Sequence, residues 1–184
     1  PQVARFEITL PEDAALTAAI PGWTVALSPD GRLLVYVGPG RLLYVRPIDR
    51  LEARPLPGTE DSDSPIFSPD GEWVAFSGGP KLSRVALSGG RAMVIAEAPQ
   101  LRGATWLSNE EIIYAPSAAG NLHLVNIATG RTDTLTTLDA TKGEVAHRWP
   151  TMLPNGKAFV FTVYTGAAGS HLATYTFASG EIKH

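Results

Sequence analysis

A four-residue turn that recurs along the chain limits its possible folds more than any other feature. The segment Ser28-Pro29-Asp30-Gly31 returns at residues 68–71, which sets a period of about 40 residues. A third copy at residues 106–109 lacks the proline and the glycine, and a fourth, Leu153-Pro154-Asn155-Gly156, follows an insertion at Thr137–Glu144. Proline presets φ at the second turn position, Asp or Asn tolerates the third, and glycine accepts the positive φ that comes next. The turns therefore mark equivalent corners of a structural repeat.

Each turn is followed by short runs of β-branched and aromatic residues, which are typical of strands. The run after the first turn is Leu33–Val37, and the run after the second is Trp73–Phe76. Further runs follow within each period, separated by tight turns such as Ser88-Gly89-Gly90. Four short strands in each period of about 40 residues are typical of propeller blades. The sequence predicts an all-β fold, a β-propeller of about four four-stranded blades that is a half or fragment of a larger propeller or closes by dimerisation.

The chain is predicted to form a single domain over residues 1–184, with a lead-in at 1–19 before the first blade. Val3–Leu10 alternates like a strand but has no blade of its own, whereas the last blade reads as only three strands. We expect this N-terminal strand to complete the last blade and so to hide an open sheet edge. A short helical turn is expected within Pro11–Ala19. The blades are expected at approximately 20–60, 61–99, 100–144 and 145–184.

Charge and composition narrow the possible partners. Lys and Arg number 15 and Asp and Glu number 18, so the net charge of −3 does not favour a nucleic-acid partner. No apolar run approaches the roughly 18 residues of a membrane helix, so we expect no direct membrane insertion by this segment. The chain has no cysteine, which excludes disulfides and Cys-ligated zinc.

The sequence lacks the residue patterns of the catalytic and metal sites that would suggest an enzyme. Hydrolases of the α/β class need a Gly-x-Ser-x-Gly turn to expose their nucleophile, and Gly169-Ser170-His171 has neither the spacing nor the context. The acidic segment Glu60–Asp63 lacks the further ligands that Ca²⁺ requires, and no two histidines stand at metal-binding spacing. Asp30 and Asp70 recur within the turn, so they are expected to bond their own backbone. We predict no catalytic residue, no bound metal and no cofactor.

One set of residues is a candidate binding site. We define a ring position in each blade, four residues before Leu27, Phe67, Trp106 and Met152. If the blades superpose, these positions form part of a ring at the entrance of the central channel. Trp and Arg are frequent binding anchors, and Arg suits a carboxylate or an acidic peptide. The alternatives are that the ring carboxylate pairs with a ring arginine and that the tryptophans pack between blades. The predicted binding residues are Trp23, Asp63, Arg102 and Arg148, with His147 and Trp149 beside the last of them.

From Trp23 to the C-terminus the repeated turns and strands resemble the WD40-like repeats of the PD40 or TolB type. Three further segments, at 3–8, 56–60 and 143–150, are similar to the C-terminal propeller of some bacterial transmembrane serine/threonine protein kinases. This resemblance implies a sensor or interaction domain on the far side of the membrane from the kinase. The chain itself contains no kinase motif, and such propellers have more blades than four, which implies a half or a fragment.

The resemblance and the lack of catalytic motifs predict a non-catalytic ligand- or protein-binding propeller with a protein or peptide ligand. Within a receptor kinase it is expected to be the extracytoplasmic sensor region of a larger bacterial signalling protein. Two alternatives remain open. One is the propeller portion of a prolyl-oligopeptidase-like hydrolase, and the other is a self-assembling structural half, in which a homodimer completes an eight-bladed ring.

Overall fold

The computed structural model describes residues 9–17 and 23–184, and these form an all-β structure. Sixteen strands make four four-stranded antiparallel sheets, in each of which the strands are adjacent in chain order. This architecture confirms the predicted fold class of four propeller blades. The helical segments within the described ranges are single 3-10 turns, and no helix there is long and apolar enough to cross a bilayer.

The four blades divide the sixteen strands in chain order. Blade one contains β1 (Val25–Leu27), β2 (Leu33–Val37), β3 (Leu43–Pro47) and β4 (Arg54–Pro55). Blade two contains β5 (Ser62–Phe67), β6 (Trp73–Gly78), β7 (Lys81–Ala86) and β8 (Met93–Glu97). Blade three contains β9 (Ala104–Ser108), β10 (Glu111–Tyr114), β11 (His123–Asn126) and β12 (Thr132–Thr134). Blade four contains β13 (Ala146–Met152), β14 (Ala158–Tyr164), β15 (Ser170–Thr176) and β16 (Glu181–Lys183).

The recurring turn closes the hairpin between the first two strands of a blade. In blade one the Oδ1 atom of Asp30 accepts hydrogen bonds from the Ser28 hydroxyl at 2.6 Å and from the Arg32 amide at 3.0 Å. The Asp70 carboxylate accepts the same two kinds of bond in blade two. In blade three Asn109 replaces the aspartate and accepts a bond from the Asp70 amide at 3.2 Å. The turn aspartates are therefore held by the backbone, which is the structural role predicted for them.

The hydrophobic core lies between successive blades. Three clusters of buried side chains fill the junctions of blades one and two, two and three, and three and four. Each fully buried side chain of this size stabilises the fold by about 1.5–3 kcal/mol relative to exposure. The sheets therefore stabilise one another face to face, as in a propeller. Representative pairs of cluster members, one per junction, are Leu43 with Phe76, Leu82 with Trp106, and Leu122 with Phe161.

The last blade differs from the prediction. Its fourth strand, β16, pairs antiparallel with β15, and Ile182 lies opposite Tyr175. The turn before it needs Gly180, whose φ is +67°. Sequence analysis missed this three-residue strand, because a polar segment at the chain end carries little strand signal. The expectation that Val3–Leu10 takes the fourth position is therefore wrong for this sheet, and residues 3–8 lie outside the described residues.

The lead-in covers the face of blade one that points away from blade two. The predicted helical turn is present at Glu12–Ala14. The Tyr36 hydroxyl donates to the Ala14 carbonyl at 2.7 Å, and Arg46 donates to the Thr9 carbonyl at 2.7 Å. Blades two and three carry valine, and blade four carries tyrosine, at the position of Arg46. At this position blade one has a hydrogen-bond donor, which binds the lead-in, where blades two and three have an apolar side chain.

Candidate functional site

Backbone bulges occur beside the predicted ring positions of blades two and four. Ser64 and Trp149 adopt left-handed φ values of +53° and +55°, and the register of β5 and of β13 shifts there. The Ser64 amide donates to the Trp23 carbonyl at 2.9 Å, and the Trp149 amide donates to the Arg102 carbonyl at 2.8 Å. Each bond joins neighbouring blades, so the bulges of blades two and four make the same backbone contact with the blade before them. A left-handed tryptophan costs free energy and persists only where the surroundings hold it.

Two tryptophans meet at the channel entrance. The ring centroids of Trp23 and Trp149 are 5.6 Å apart in an edge-on arrangement. Since Trp23 precedes blade one and Trp149 belongs to blade four, their contact joins the two terminal blades. Gly103 makes room for it, because a Cβ atom there would lie 2.7 Å from the Trp149 Cα atom. Trp23 is still 52% exposed, so the pair presents an aromatic surface to solvent.

The ring carboxylate pairs with a residue that sequence analysis missed. The Oδ2 atom of Asp63 lies 3.4 Å from Nη2 of Arg41, not against Arg102 or Arg148. Arg41 follows a turn glycine and itself has a φ of +56°, a conformation that nothing in the repeat signals. Burial raises the pKa of Asp63, although its bond to Ser64 and the charges of Arg41 and, more weakly, Arg102 oppose the shift. This carboxylate is therefore a poorly solvated group at the entrance.

The two ring arginines differ in how firmly their own chain holds them. Among the described residues, the Arg102 guanidinium donates only to the carbonyl of its neighbour Leu101, at 3.3 Å. Arg148 donates to the Ala118 carbonyl and stacks over the Tyr164 ring, with its Cζ atom 4.2 Å from the ring centroid. Its Nε atom is buried without a partner within the described ranges. Most N–H groups of Arg102 are consequently free to bind a ligand. The guanidinium group of Arg148, by contrast, is held in place by Ala118 and Tyr164.

His147 belongs to a buried polar relay rather than to the channel surface. Its Nδ1 atom lies 2.8 Å from Oγ1 of Thr136, and its Nε2 atom lies 3.1 Å from Oε2 of Glu144. Burial lowers the pKa of His147, although the Glu144 carboxylate opposes the shift. The imidazole is therefore neutral at pH 7, so Nε2–H donates to Glu144 and Nδ1 accepts from the Thr136 hydroxyl.

This relay has the hydrogen-bond order of a hydrolase triad but no access for a substrate. Thr136 is 3% exposed, and its hydroxyl oxygen already accepts the Leu122 amide at 3.0 Å. Glu144 ends the insertion at 137–144 and accepts the Asp139 amide at 2.8 Å. The relay therefore ties the insertion to blade four. Within residues 9–17 and 23–184, no group of three His, Asp or Glu side chains is arranged to hold a metal ion.

The wall of the channel is apolar away from the entrance. A cavity of about 320 Å³ opens between the inner strands of blades one, two and three. Its wall combines aliphatic and aromatic side chains with the prolines of the repeated turns. The channel thus has an aromatic and charged entrance and an apolar far end. The apolar side chains are Leu27, Ile66, Phe67 and Trp106, with Pro29 and Pro69 at the rim.

Solved structures of other propellers share this fold. The chain superposes on oligogalacturonate lyase in complex with manganese with a TM-score of 0.66 at 18% identity, covering 87% of this chain and 51% of that one. It matches a putative TolB from Agrobacterium tumefaciens with a TM-score of 0.67 at 17% identity, covering 88% and 60%. TolB from Acinetobacter baumannii gives 0.62 at 22% identity, covering 87% and 40%.

These similarities support a β-propeller fold of the TolB type. The chain spans 40% to 60% of the length of these propellers. No model of a known protein family and no curated protein sequence matches it.

Proposed function

We propose that this propeller is a non-catalytic binding module whose ligand contacts the ring at the channel entrance. The contact between Trp23 and Trp149 carries the proposal, because it brings an exposed aromatic surface beside the ring arginines. Exposed tryptophan next to arginine is the usual composition of a binding hot spot. The blade core does not need Trp23 for its packing, since half of that side chain faces solvent.

The ligand class follows from the charges at the entrance. Asp63 forms its ion pair with Arg41, although the charge of Arg102 also acts on it, and Arg102 and Arg148 form no ion pair among the described residues. Two guanidinium groups without an ion-pair partner, beside an aromatic pair, favour a carboxylate-bearing or acidic peptide. Apolar side chains of the same peptide would enter the cavity between the inner strands of blades one, two and three. The module is, in this proposal, the extracytoplasmic sensor or interaction region of a larger bacterial signalling protein.

Fluorescence titration tests the site, because Trp23 and Trp149 report on their own surroundings. The probe is a short Asp/Glu-rich peptide, and its Asn/Gln counterpart is the ligand control. We expect the acidic peptide to change tryptophan emission, and Arg102→Ala to weaken its binding about tenfold, which is about 1.4 kcal/mol.

Arg131→Ala is the matched control, because Arg131 is an exposed arginine that pairs with Asp133 away from the channel. Equal affinities of the wild type and the Arg102→Ala and Arg148→Ala variants would remove the proposed site.

An enzymatic role is the second candidate, and the structural similarity to oligogalacturonate lyase supports considering it. The prolyl-oligopeptidase-like alternative belongs to the same class of function, with chemistry outside the binding ring. Incubation with oligogalacturonate and manganese distinguishes the two candidates, because a lyase forms unsaturated products that absorb in the ultraviolet. Product formation that Arg102→Ala abolishes would replace the binding proposal by the enzymatic one.

A further inference from the structure

One leucine recurs in all four blades but is buried in only three of them. Leu43, Leu82 and Leu122 occupy equivalent positions near the start of the third strand, and each is 0% exposed. Leu172 is the fourth copy and is 66% exposed. The first three copies pack against the following blade, whereas no following blade covers blade four within the described ranges. We call the face of blade four that points away from blade three its forward face. Leu172 lies on it, in the position that in the other blades packs against the next blade.

The other half of such a junction lies on blade one. Phe67 and Met152 end the inner strands of blades two and four, Trp106 is their counterpart in blade three, and all three pack in junction clusters. Their equivalent in blade one, Leu27, is 51% exposed. Val25, which shares its face of the strand, is 49% exposed. Residues 9–17 of the lead-in cover the outer part of this face, whereas Leu27 and Val25 on its inner part stay about half exposed.

We propose that a second copy of the chain occupies these faces, so that two four-bladed arcs close head to tail into one ring. The forward face of blade four in one copy packs on the bare face of blade one in the other, and the reverse contact closes the ring. Each contact continues the blade junction that occurs three times inside the chain. Leu172 then meets the partner's lead-in, in which Leu16 is 48% exposed. The ring also completes the channel, to which each copy contributes one half of the entrance.

The available area is sufficient for a stable dimer. A face of four strands about 4.8 Å apart, each about five residues long, covers roughly 300 Å². The closed ring has two junctions and therefore buries four such faces, or roughly 1,200 Å², which reaches the size of specific interfaces. A single head-to-tail contact buries only half of that area. Head-to-tail contacts could also build an open filament. The closed dimer is favoured over it, because two copies then bury both junctions.

Light scattering coupled to size exclusion tests the proposal on the purified chain. We expect a species of twice the 19.6 kDa chain mass. Leu172→Glu and Leu27→Glu should each raise the dissociation constant at least tenfold, because each places a charge in both junctions. Both side chains are about half or more exposed in one copy, so the substitutions leave its fold intact, which circular dichroism verifies.

Val94→Glu is the matched control, since Val94 is 57% exposed on the outer strand of blade two and lies in neither junction. An equimolar mixture of the Leu172→Glu and Leu27→Glu chains should form mixed dimers in preference to either homodimer, because only the mixed dimer contains one unaltered junction. A monomeric wild-type chain at high concentration would overturn the proposal and assign both faces to further blades of a longer polypeptide. A dimer that Leu172→Glu leaves unchanged would overturn it as well.

Discussion

His147 and Arg148 are adjacent in β13, yet they belong to regions with opposite properties. Successive side chains of a strand point to opposite faces, so the two residues differ: His147 packs between blades three and four, whereas Arg148 stacks over Tyr164. The relay of Thr136, His147 and Glu144 is buried, and its central imidazole is fully bonded. The ring keeps an exposed tryptophan and arginine donors without partners. The comparison teaches that buried polar groups bonded within their own chain stabilise the fold, whereas exposed donors without partners are available to a ligand.

The largest effect is expected from removing the centre of the relay. His147→Phe keeps the approximate side-chain volume, but the buried Glu144 carboxylate loses its imidazole donor and the buried Thr136 hydroxyl loses its acceptor. We expect a loss of about 3 kcal/mol in the free energy of unfolding, with unchanged affinity for the acidic peptide. Urea denaturation and the fluorescence titration measure the two quantities.

His123→Phe is the control for His147→Phe, because His123 lies on β11 and is only partly buried. A double variant, His147→Phe with Glu144→Leu, should regain much of the lost stability, since it removes both partners together. Weaker peptide binding by the folded His147→Phe variant would contradict the separation of relay and ring.

A smaller effect is expected where the ring depends on a glycine. Gly103→Ala combines a φ of +99° with a Cβ atom 2.7 Å from the Trp149 Cα atom, so Trp149 must move. We expect a loss of about 2 kcal/mol in stability together with weaker peptide binding. Gly130→Ala is the control, because its φ of +70° is equally left-handed but nothing lies within 4 Å of the added carbon. A variant that loses stability but keeps its affinity would show that the ligand does not contact Trp149.

The smallest effect is a pH dependence that has opposite signs in the two regions. Burial lowers the pKa of His147 below its ordinary 6.5, so the unfolded chain binds more protons there and stability falls as the pH drops below about 6.5. Burial raises the pKa of Asp63 above its ordinary 3.8, so the folded chain binds more protons and stability gains as the pH falls through that range. Denaturation series in urea at several pH values measure both slopes.

Single variants assign each slope to its residue. His147→Phe should flatten the stability curve below pH 6.5, and Asp63→Asn should remove the gain at lower pH. Burial also lowers the pKa of His123, which adds to the first slope, so the difference between wild type and His147→Phe is the relevant quantity. An unchanged slope in His147→Phe would mean that the relay does not exclude the proton from the folded state.

The fold followed from the sequence because its signals are local and repeated. Turn chemistry at Ser28–Gly31 and at residues 68–71 is read from four consecutive residues, and the strands between turns follow from β-branched runs. Sequence analysis missed β16, because three mostly polar residues become a strand only when β15 offers them an edge. The pairing of Asp63 with Arg41 was likewise missed, since it joins two blades through a left-handed arginine that no repeat position marks.

The sequence by itself determined the number of blades and the structural role of the turn aspartates, because these depend on residue spacing within one repeat. Tertiary structure alone decided that Trp23 meets Trp149, that His147 is buried beside Glu144, and that Leu172 is the one exposed copy of a core leucine. The physical reason is that burial and pairing arise between blades. Whether a side chain at a given repeat position is buried in the core, hydrogen-bonded in the interior or exposed depends on which sheet packs against it.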